Sequence, residues 1–224
     1  MSVTVREISA KSALGKTGIK GYTYCLNPYV GCQHGCKYCY ARFMKRFTAH
    51  VEPWGSFVDV KTNIPSVLAR QLKRPKSGSL LIGTVTDPYQ PLEAQHAITR
   101  QCLEALATSD LTVNVLTRSP LVTRDIDVIL GFGEIKMGMS IGTDDENTKK
   151  YFEPDSPPIA ARVKALKKMH DAGIETYAFI GPILPLDPAK MVNMLSGCVD
   201  SVFIDKLNYP RNVFSLYRGL NMED

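Results

Sequence analysis

The chain has 224 residues, of which 44% are hydrophobic, and a formal net charge of +5. This length is sufficient for one domain with a full hydrophobic core. Two features predict a cytoplasmic protein: no run of about 18 apolar residues could span a bilayer, and the N-terminus lacks the apolar block of a secretory signal.

Charge is distributed unevenly along the chain. Residues 1–80 contain 13 Lys and Arg against 3 Asp and Glu, a net charge of +10, and the remaining residues have a net charge of −5. This asymmetry indicates either an anionic partner such as nucleic acid or a solvated basic face. Six aromatic residues of the basic region could stack on bases or pack in the core. They are Tyr22, Tyr24, Phe43, Phe47, Trp54 and Phe57.

Six short apolar segments alternate with helical patterns. They predict strands over residues 22–27, 79–85, 111–117, 134–141, 174–180 and 201–205. This alternation is typical of an α/β fold with a parallel sheet, and right-handed crossovers of one sense would curl the sheet into a partial (β/α)6 barrel of the TIM type. An open, doubly wound sheet is the alternative. We expect one domain over residues 1–224, with an N-terminal extension at 1–21 and a C-terminal tail at 208–224.

Three helices are predicted from apolar spacing and from the residues at their ends. The first begins after Asn63, a suitable N-cap, and has Pro65 in its first turn. The second covers residues 93–107. The third starts at residue 158 and ends at Gly173, because glycine often terminates helices. Two cysteines on helical patterns are expected in the core: Cys102 and Cys198.

Three cysteines follow the first predicted strand with the spacing C-x3-C-x2-C. They are Cys32, Cys36 and Cys39. In a reducing compartment such a group indicates a metal site rather than disulfides. Three thiolates can ligate three irons of a 4Fe–4S cluster and leave one iron without a protein ligand, and a catalytic metal site needs such an open position. Gly31 and Gly35 would let the loop adopt positive φ angles around the cluster.

Two neighbouring residues offer alternative ligands. Cys25 would close the site as a four-thiolate zinc or iron–sulfur site; otherwise it is a small residue packed at the end of the first strand. His34 lies between Cys32 and Cys36. We expect His34 to face solvent or to support the ligands rather than to bind the metal.

The cysteine segment N-P-Y-V-G-C-Q-H-G-C-K-Y-C-Y-A-R, residues 27–42, is followed by T-D-P-Y-Q-P-L-E at 86–93. Shorter matches are T-R at 99–100, R-D at 124–125, S-I-G-T at 140–143, E-P at 153–154, A-G-I at 172–174 and P-I-L-P at 182–185. Over about residues 22–208 the pattern resembles the spore photoproduct lyase-like branch of the radical S-adenosylmethionine (SAM) superfamily. The resemblance implies a 4Fe–4S cluster on the three cysteines and SAM bound at the open iron. It also implies an electron donor of the flavodoxin or ferredoxin type, and reductive cleavage of SAM to a 5′-deoxyadenosyl radical that acts on a substrate.

Polar residues follow two predicted strands and end a third, at the end that carries the cysteine loop, where barrel enzymes place their active sites. They are Thr86, Asp87, Arg118 and Ser140. Arg118 would pair with the carboxylate of SAM, and Thr86 and Ser140 would hydrogen-bond its amino-acid or ribose part. The resemblance also places the positions of these three residues near the cofactor. Each residue alone could instead serve a turn or a cap.

Residues 86–93 contain two prolines and are predicted to form a rigid loop over the cofactor. Glu93, at the end of this loop, either caps the next helix or faces the site. Tyr38 and Tyr40 flank Cys39. They either pack around the cluster and the adenine ring, which makes Tyr38 a cofactor-binding residue, or act catalytically in hydrogen transfer, as the resemblance implies.

Thr84 marks a difference from spore photoproduct lyase, which has a hydrogen-donating Cys at the matching position. An O–H bond is much stronger than an S–H bond, so Thr84 cannot easily take over that role. We therefore expect a radical SAM enzyme other than that lyase, with nucleic acid, a metabolite or a peptide as substrate. The alternative is a non-catalytic regulatory module that binds zinc or an iron–sulfur cluster in a closed site.

Overall fold

The computed structural model describes residues 3–206 and residue 216, and within them it contains ten strands. The strands are β1 (Thr4–Ile8), β2 (Gly15–Lys16), β3 (Tyr24–Leu26), β4 (Tyr29–Val30), β5 (Phe57–Lys61), β6 (Gly78–Ile82), β7 (Leu111–Thr117), β8 (Ile135–Ser140), β9 (Glu175–Ile180) and β10 (Ser201–Ile204). The predicted C-terminal tail at 208–224 lies outside the described residues, apart from residue 216.

The main sheet has seven strands in the order β10-β9-β8-β7-β6-β3-β2. Six parallel strands follow one another in chain order, and β2 pairs with β3 as an antiparallel edge. All six predicted strands are confirmed. A doubly wound sheet would reverse its strand order partway, so that alternative is wrong and the partial (β/α)6 arrangement is confirmed. Within the described residues β10 does not pair with β2, so the barrel stays open.

A second sheet of three strands lies beside the cysteine loop. Its order is β1-β5-β4, with β1 parallel and β4 antiparallel to β5. The sequence analysis predicted none of these three strands, and β5 pairs with both of the others. The predicted N-terminal extension contains β1 and β2.

Helices connect the strands of the main sheet. They are α1 (Ile64–Leu72), α2 (Glu93–His96), α3 (Ile98–Leu106), α4 (Ile126–Ile129), α5 (Glu146–Phe152), α6 (Ile159–Asp171) and α7 (Pro188–Leu195), with 3-10 helices at Tyr40–Phe47 and Pro120–Asp125. The third predicted helix is confirmed as α6, and Gly173 follows it with a φ of +83°. Among the described residues, no helix has both the length and the apolar character needed to cross a bilayer.

The predicted N-cap of α1 is wrong in its detail. Asn63 precedes the helix, but its side chain makes no capping hydrogen bond. Its amide group instead accepts a hydrogen bond from the N–H of Ala10 at 2.7 Å and donates one to the carbonyl of Ala10 at 3.0 Å. Asn63 therefore fastens the segment between β1 and β2 to α1.

The single helix predicted over residues 93–107 is divided into α2 and α3 at Ala97, whose φ is +49°. The break lets the carboxylate of Glu93 accept hydrogen bonds from the N–H groups of Thr99, at 2.9 Å, and Arg100, at 3.3 Å. A carboxylate that accepts from the first N–H groups of a helix caps it. The capping alternative for Glu93 is therefore confirmed.

The core fills the space between the main sheet and its helices. Val113 and Val115 of β7 and Leu103 and Leu106 of α3 are fully buried there. Burial of each such side chain stabilises the fold by about 1.5–3 kcal/mol.

The cysteines outside the C-x3-C-x2-C motif pack in the protein. Cys102 lies on α3 and is fully buried, as predicted. Cys198 is buried, but it follows α7 and Gly197, whose φ is +70°, so its helical placement was wrong. Cys25 lies on β3, and its sulfur faces Gly15 of β2, which agrees with a packed small residue.

Candidate active site

A cavity of about 510 Å³ lies at the carboxyl ends of the parallel strands. All residues predicted for catalysis, cofactor binding or metal ligation line it. They are Cys32, Cys36, Tyr38, Cys39, Tyr40, Thr86, Asp87, Arg118 and Ser140. Cys25 does not belong to the described residues that line the cavity, so the structure does not support it as a fourth ligand.

The cysteine loop is shaped by two glycines with positive φ, Gly31 at +85° and Gly35 at +57°. A Cβ on Gly31 would overlap the carbonyl oxygen of Phe57 in β5. Turns inside the loop are closed by hydrogen bonds from Gly35 N to Cys32 O, at 3.3 Å, and from Cys39 N to Cys36 O, at 3.1 Å. The glycines therefore allow the loop to turn tightly against the small sheet.

The environment of the three thiols fits a metal cluster. Burial raises the pKa of Cys32 and raises the pKa of Cys36 to about 12, and repulsion between the cysteines contributes. Three thiolates here need a compensating cation, which deprotonates and binds them together. Among the described residues, no three His, Cys, Asp or Glu side chains converge closely enough for one metal ion. Three neighbouring thiols are a donor set that an iron–sulfur cluster can use.

Asp87 holds the end of β7 rather than presenting a free carboxylate. It accepts hydrogen bonds from Thr117 Oγ1 at 2.5 Å, Arg118 N at 2.8 Å and Tyr89 N at 2.9 Å. Burial raises the pKa of Asp87, but His34, Arg118 and the Thr117 hydrogen bond lower it below its usual range. Asp87 therefore stays ionised inside the protein.

His34 is buried, with 1% of its surface exposed, and its Nε2 lies 3.3 Å from Asp87 Oδ2. The expectation that it faces solvent is wrong, and its position beside Asp87 agrees with a supporting role behind the ligands. The sequence could not distinguish these two positions, because the partner of His34 is 53 positions away.

Arg118 joins a buried ionic network around Glu153. One guanidinium nitrogen, Nη2, donates to Ser140 Oγ at 3.1 Å and to the hydroxyl of Tyr38 at 3.3 Å, and it lies 3.9 Å from Glu153 Oε1. Tyr38 in turn donates a hydrogen bond to Glu153. Arg162 of α6 donates to the other carboxylate oxygen at 2.6 Å.

The charges of this network compensate one another. Burial raises the pKa of Glu153, but Arg118 and Arg162 outweigh it and lower the pKa to about 2. Our site prediction did not include Glu153 or Arg162. Glu153 could have been noticed because it belongs to the matched E-P pair at 153–154. Arg162 could have been noticed because it is a charged residue on the apolar face of a predicted helix.

Arg118 retains one donor without a partner among the described residues. Its Nε is buried and makes no hydrogen bond. Buried polar groups are nearly always paired, and a guanidinium pairs best with a carboxylate. Because Arg118 lines the cavity, its guanidinium gives that wall a cationic group that could pair with an anionic ligand.

Thr86 holds the cysteine loop in place. Its hydroxyl donates to the carbonyl of Gly31 at 2.6 Å and accepts from Gln90 Nε2 at 3.2 Å. Gln90 also accepts from the N–H of Gln33 at 2.9 Å, and Gln33 Oε1 accepts from Leu92 N at 2.7 Å. The loop of residues 86–93 is thus bonded to the cysteine loop. Gln33 and Gln90 were not predicted as site residues, although both lie inside the matched segments.

Two of the shorter sequence matches, T-R at 99–100 and R-D at 124–125, supply ion pairs to the end of the loop of residues 86–93. Arg124 pairs with Glu93 at 2.8 Å and with Asp125 at 2.7 Å, and Arg100 pairs with Asp125 at 3.1 Å. Glu93 and Asp125 are fully buried. These ion pairs therefore fix the end of the loop of residues 86–93 and are structural.

Tyr40 occupies the rim of the cavity, with 44% of its surface exposed. Its hydroxyl donates to the backbone carbonyl of Thr84, and its ring stacks on Phe43 at 6.4 Å between centroids. The Thr84 hydroxyl accepts a hydrogen bond from Asn27 at 2.7 Å. Both predicted catalytic tyrosines therefore border the cavity with engaged hydroxyls, and their part in hydrogen transfer stays a prediction.

Comparison with known proteins shows which family this chain resembles. Residues 26–196 match the sequence model of the Radical SAM superfamily. An uncharacterized protein of Methanocaldococcus jannaschii is 38% identical over 183 residues, which cover 82% of this chain and 69% of the relative. An uncharacterized protein of Mycobacterium tuberculosis is 31% identical over 208 residues, which cover 87% of this chain and 61% of the relative.

A spore photoproduct lyase variant with bound AdoMet and dinucleoside spore photoproduct has a similar fold, with a TM-score of 0.72 and 15% identity. The match covers 96% of this chain and 66% of that chain. This chain thus spans about two thirds of the length of the proteins it matches, and the likeness to the lyase concerns the fold.

Proposed function

Because the chain belongs to the radical SAM superfamily, we propose that it is an enzyme that carries a 4Fe–4S cluster on Cys32, Cys36 and Cys39 and cleaves SAM reductively. The observation that carries the proposal is that the three cysteines and Arg118 line one cavity. When bound and reduced, the cluster supplies the electron that splits the sulfonium of SAM into methionine and a 5′-deoxyadenosyl radical.

We propose that Arg118 binds the carboxylate of SAM. Its backbone N–H is held by Asp87 and its Nη2 by Ser140 and Tyr38, so the guanidinium is oriented before the ligand arrives. A donor that is already positioned loses little side-chain freedom on binding. Ser140 then adds a hydroxyl beside the same ligand, and Tyr38 contributes its ring.

Thr86 and Asp87 support the cofactors indirectly in this proposal. Thr86 uses its hydroxyl on the carbonyl of Gly31, and Asp87 uses its carboxylate on Thr117, Arg118 and Tyr89. Their effect is to place the cysteine loop and Arg118 relative to each other. These relative positions matter because the reacting groups must meet in one geometry.

The remaining wall of the cavity is mainly apolar. It includes Leu81, Leu116, Phe179 and Pro182. A radical that abstracts hydrogen reacts with S–H groups and with C–H groups within its reach, so the wall must confine the radical and keep competing thiols away. We propose that these side chains protect the radical until it meets the substrate.

The aromatic residues predicted to stack on bases bear on the class of substrate. Of the residues predicted to stack on bases, Tyr22 and Trp54 line the cavity, whereas Phe57 is fully buried in the core and cannot stack. Nucleic acid is therefore a candidate substrate through Tyr22 and Trp54. Repair of spore photoproduct is not proposed, since Thr84 replaces the hydrogen-donating Cys.

We propose that a one-electron carrier of the flavodoxin or ferredoxin type docks on the 3-10 helix Tyr40–Phe47. This helix begins directly after Cys39, and Arg42 donates to the carbonyl of Cys36 at 3.2 Å. Its exposed face combines Phe43 and Phe47 with Arg46, whose guanidinium lies 4.7 Å from the Phe47 ring centroid. Such carriers are acidic, and their rate of electron transfer falls steeply with distance, so a basic, partly apolar face beside the cysteine loop suits them.

The proposed activity is tested on anaerobically reconstituted protein with dithionite and SAM. Formation of 5′-deoxyadenosine is measured by chromatography for the wild type, for Cys36→Ala and for the matched control Cys198→Ala, which removes a buried thiol outside the cavity. We expect product from the wild type and the control and none from Cys36→Ala. A fully loaded, reducible cluster that yields no 5′-deoxyadenosine would contradict the proposal and favour a non-catalytic module.

A further inference from the structure

Tyr177 of β9 lies in the wall of the cavity and has no part in the proposed mechanism. Other buried polar side chains of this wall form hydrogen bonds within the protein, as Thr86, Asp87, Thr117 and Ser140 do. Tyr177 is only 4% exposed, yet its hydroxyl makes no hydrogen bond to any described residue. Since buried polar groups are nearly always paired, this hydroxyl is available for a ligand.

The path of the ring across the sheet shows where the hydroxyl lies. Tyr177 is paired with Gly138 of the neighbouring strand β8. A Cβ on Gly138 would lie 2.1 Å from Cζ of Tyr177 and 2.4 Å from its hydroxyl oxygen, so the end of the ring covers Gly138 on the face to which a side chain there would point. Residues i and i+2 of a strand share a face, and Ser140 lines the cavity. The hydroxyl of Tyr177 therefore lies on the cavity side of the sheet.

Neighbouring residues hold the ring in this orientation. Phe203 of β10 packs edge-on against it, with 5.1 Å between centroids and an interplanar angle of 84°. Gly138 leaves room for the ring, and Leu116 of β7, which is paired with Gly138 on its other side, also lines the cavity. A donor that is fixed before the ligand arrives loses little freedom on binding.

The surroundings of the hydroxyl indicate which chemical group it would bind. Burial raises the pKa of Tyr177, so the phenol keeps its proton at neutral pH and can donate a hydrogen bond. The neighbouring wall is apolar and includes Leu81, Leu116, Phe179 and Phe203. Burial of an ionised group against such a wall is costly, which favours an uncharged acceptor oxygen. Pockets of this kind bind a mainly apolar ligand and orient it with a few polar groups.

We propose that Tyr177 is a substrate-binding residue, whose hydroxyl donates a hydrogen bond to a carbonyl oxygen on an otherwise apolar part of the substrate. The inference rests on the proposed function, because it takes this cavity as the active site. The carbonyl belongs to a ketone or to an amide, and the two sources differ in the probes that represent them.

The first test measures how three small probes bind to the reconstituted protein with its cluster oxidised and without SAM or reductant. Acetophenone carries a ketone, benzamide carries an amide, and toluene has a similar ring without an acceptor. Dissociation constants are measured by anaerobic NMR titration. We expect Tyr177→Phe to weaken the binding of one or both carbonyl probes about 3- to 10-fold, the effect of one hydrogen bond, and to leave toluene unchanged.

The matched control is Tyr151→Phe, which removes a hydroxyl on α5 that is not among the described residues lining the cavity. It should leave all three dissociation constants unchanged. A loss confined to benzamide would identify an amide, and a loss confined to acetophenone would identify a ketone. If Tyr177→Phe binds all three probes as tightly as the wild type, the inference is overturned.

The titration is then repeated with saturating SAM. We expect the carbonyl probes to bind beside SAM with the same dependence on Tyr177. Displacement of the probes by SAM would assign the hydroxyl to the cofactor instead of the substrate and would overturn the inference.

The second test needs no substitution. Benzophenone, an apolar carbonyl compound, is added to the wild-type protein and activated by light, and the site of attachment is located by mass spectrometry. We expect attachment to β9 or β10, which carry Tyr177 and Phe203. Attachment confined to other segments would contradict the inference even if Tyr177→Phe fails to fold.

None of these binding measurements requires cleavage of SAM. Carbonyl probes that depend on Tyr177 in a protein that forms no 5′-deoxyadenosine would uphold the inference and contradict the proposed activity. Probes that are indifferent to Tyr177 in a protein that does form 5′-deoxyadenosine would do the reverse.

Discussion

The guanidinium of Arg118 and the carboxylate of Glu153 lie 3.9 Å apart and are bridged by the hydroxyl of Tyr38. Arg118 follows β7, Glu153 follows α5 and Tyr38 lies in the cysteine loop, so the three residues meet only in the folded chain. Arg162 neutralises the other side of Glu153. The guanidinium of Arg118, which we propose binds SAM, is therefore held beside the buried carboxylate of Glu153, and both oxygens of that carboxylate have partners.

Replacement of Arg118 by Gln is expected to weaken SAM binding about 10- to 100-fold. A hydrogen bond to a charged group contributes about 1.5–3 kcal/mol, and 1.4 kcal/mol corresponds to a factor of ten. Arg118→Lys keeps the charge and should lose less. Affinity is measured by equilibrium dialysis on the reconstituted protein, with Arg74→Gln as an exposed control outside the cavity. Unchanged affinity in Arg118→Gln would refute the assigned role.

Replacement of Glu153 by Gln is expected to destabilise the fold by about 3–5 kcal/mol, because it leaves Arg162 buried without its counter-charge. The exposed pair of Glu175 with Lys136 offers a control: Glu175→Gln should cost at most about 1 kcal/mol. The free energy of unfolding is measured by urea denaturation at neutral pH. A loss as small as that of the control would show that the network does not stabilise the protein.

The same carboxylate makes stability depend on pH. The pKa of Glu153 is lowered from 4.5 to about 2 in the folded protein, so its contribution is complete above pH 4.5 and disappears as the pH falls through the folded value. The contribution is roughly 3 kcal/mol. Unfolding free energies between pH 5 and pH 2 should fall more steeply for the wild type than for Glu153→Gln. Parallel curves would contradict the lowered pKa.

Replacement of Gln90 by Ala is expected to loosen the cysteine loop and speed the loss of iron. Gln90 is fully buried and bonds to Gln33 and Thr86, and a buried N–H left without its acceptor costs about 1–3 kcal/mol. The measurement is the rate of iron release to a chelator from the reconstituted protein. Gln101→Ala, on the exposed side of α3, should leave the rate unchanged. Equal rates of iron release in both variants would show that Gln90 does not hold the cysteine loop in place.

Replacement of Arg46 by Glu is expected to slow reduction of the cluster by an acidic flavodoxin about tenfold at low salt, and the effect should shrink as salt increases. Reduction by dithionite should not change, because that small anion does not need the docking face. Lys167→Glu, an exposed charge reversal on α6, is the control. If Arg46→Glu instead abolishes oligonucleotide binding and leaves flavodoxin reduction intact, the helix Tyr40–Phe47 serves nucleic acid.

Local sequence patterns predicted much of this protein. Three features follow from patterns among residues that are close in sequence. They are the six parallel strands, the helix that ends before Gly173 and the loop that carries Cys32, Cys36 and Cys39. The same patterns placed Thr86, Arg118 and Ser140 at one edge of the sheet, because parallel strands end at a common edge.

Contacts between distant segments decided the rest. The partners of Glu153, the hydrogen bond between Gln33 and Gln90 and the break at Ala97 depend on packing across the fold. A buried charge or a buried N–H must find a partner wherever the chain brings one within reach, and no local period encodes which residue that is. The sequence by itself thus determined the sheet and the spacing of the three cysteines, and the tertiary structure alone decided how the side chains around those cysteines are paired.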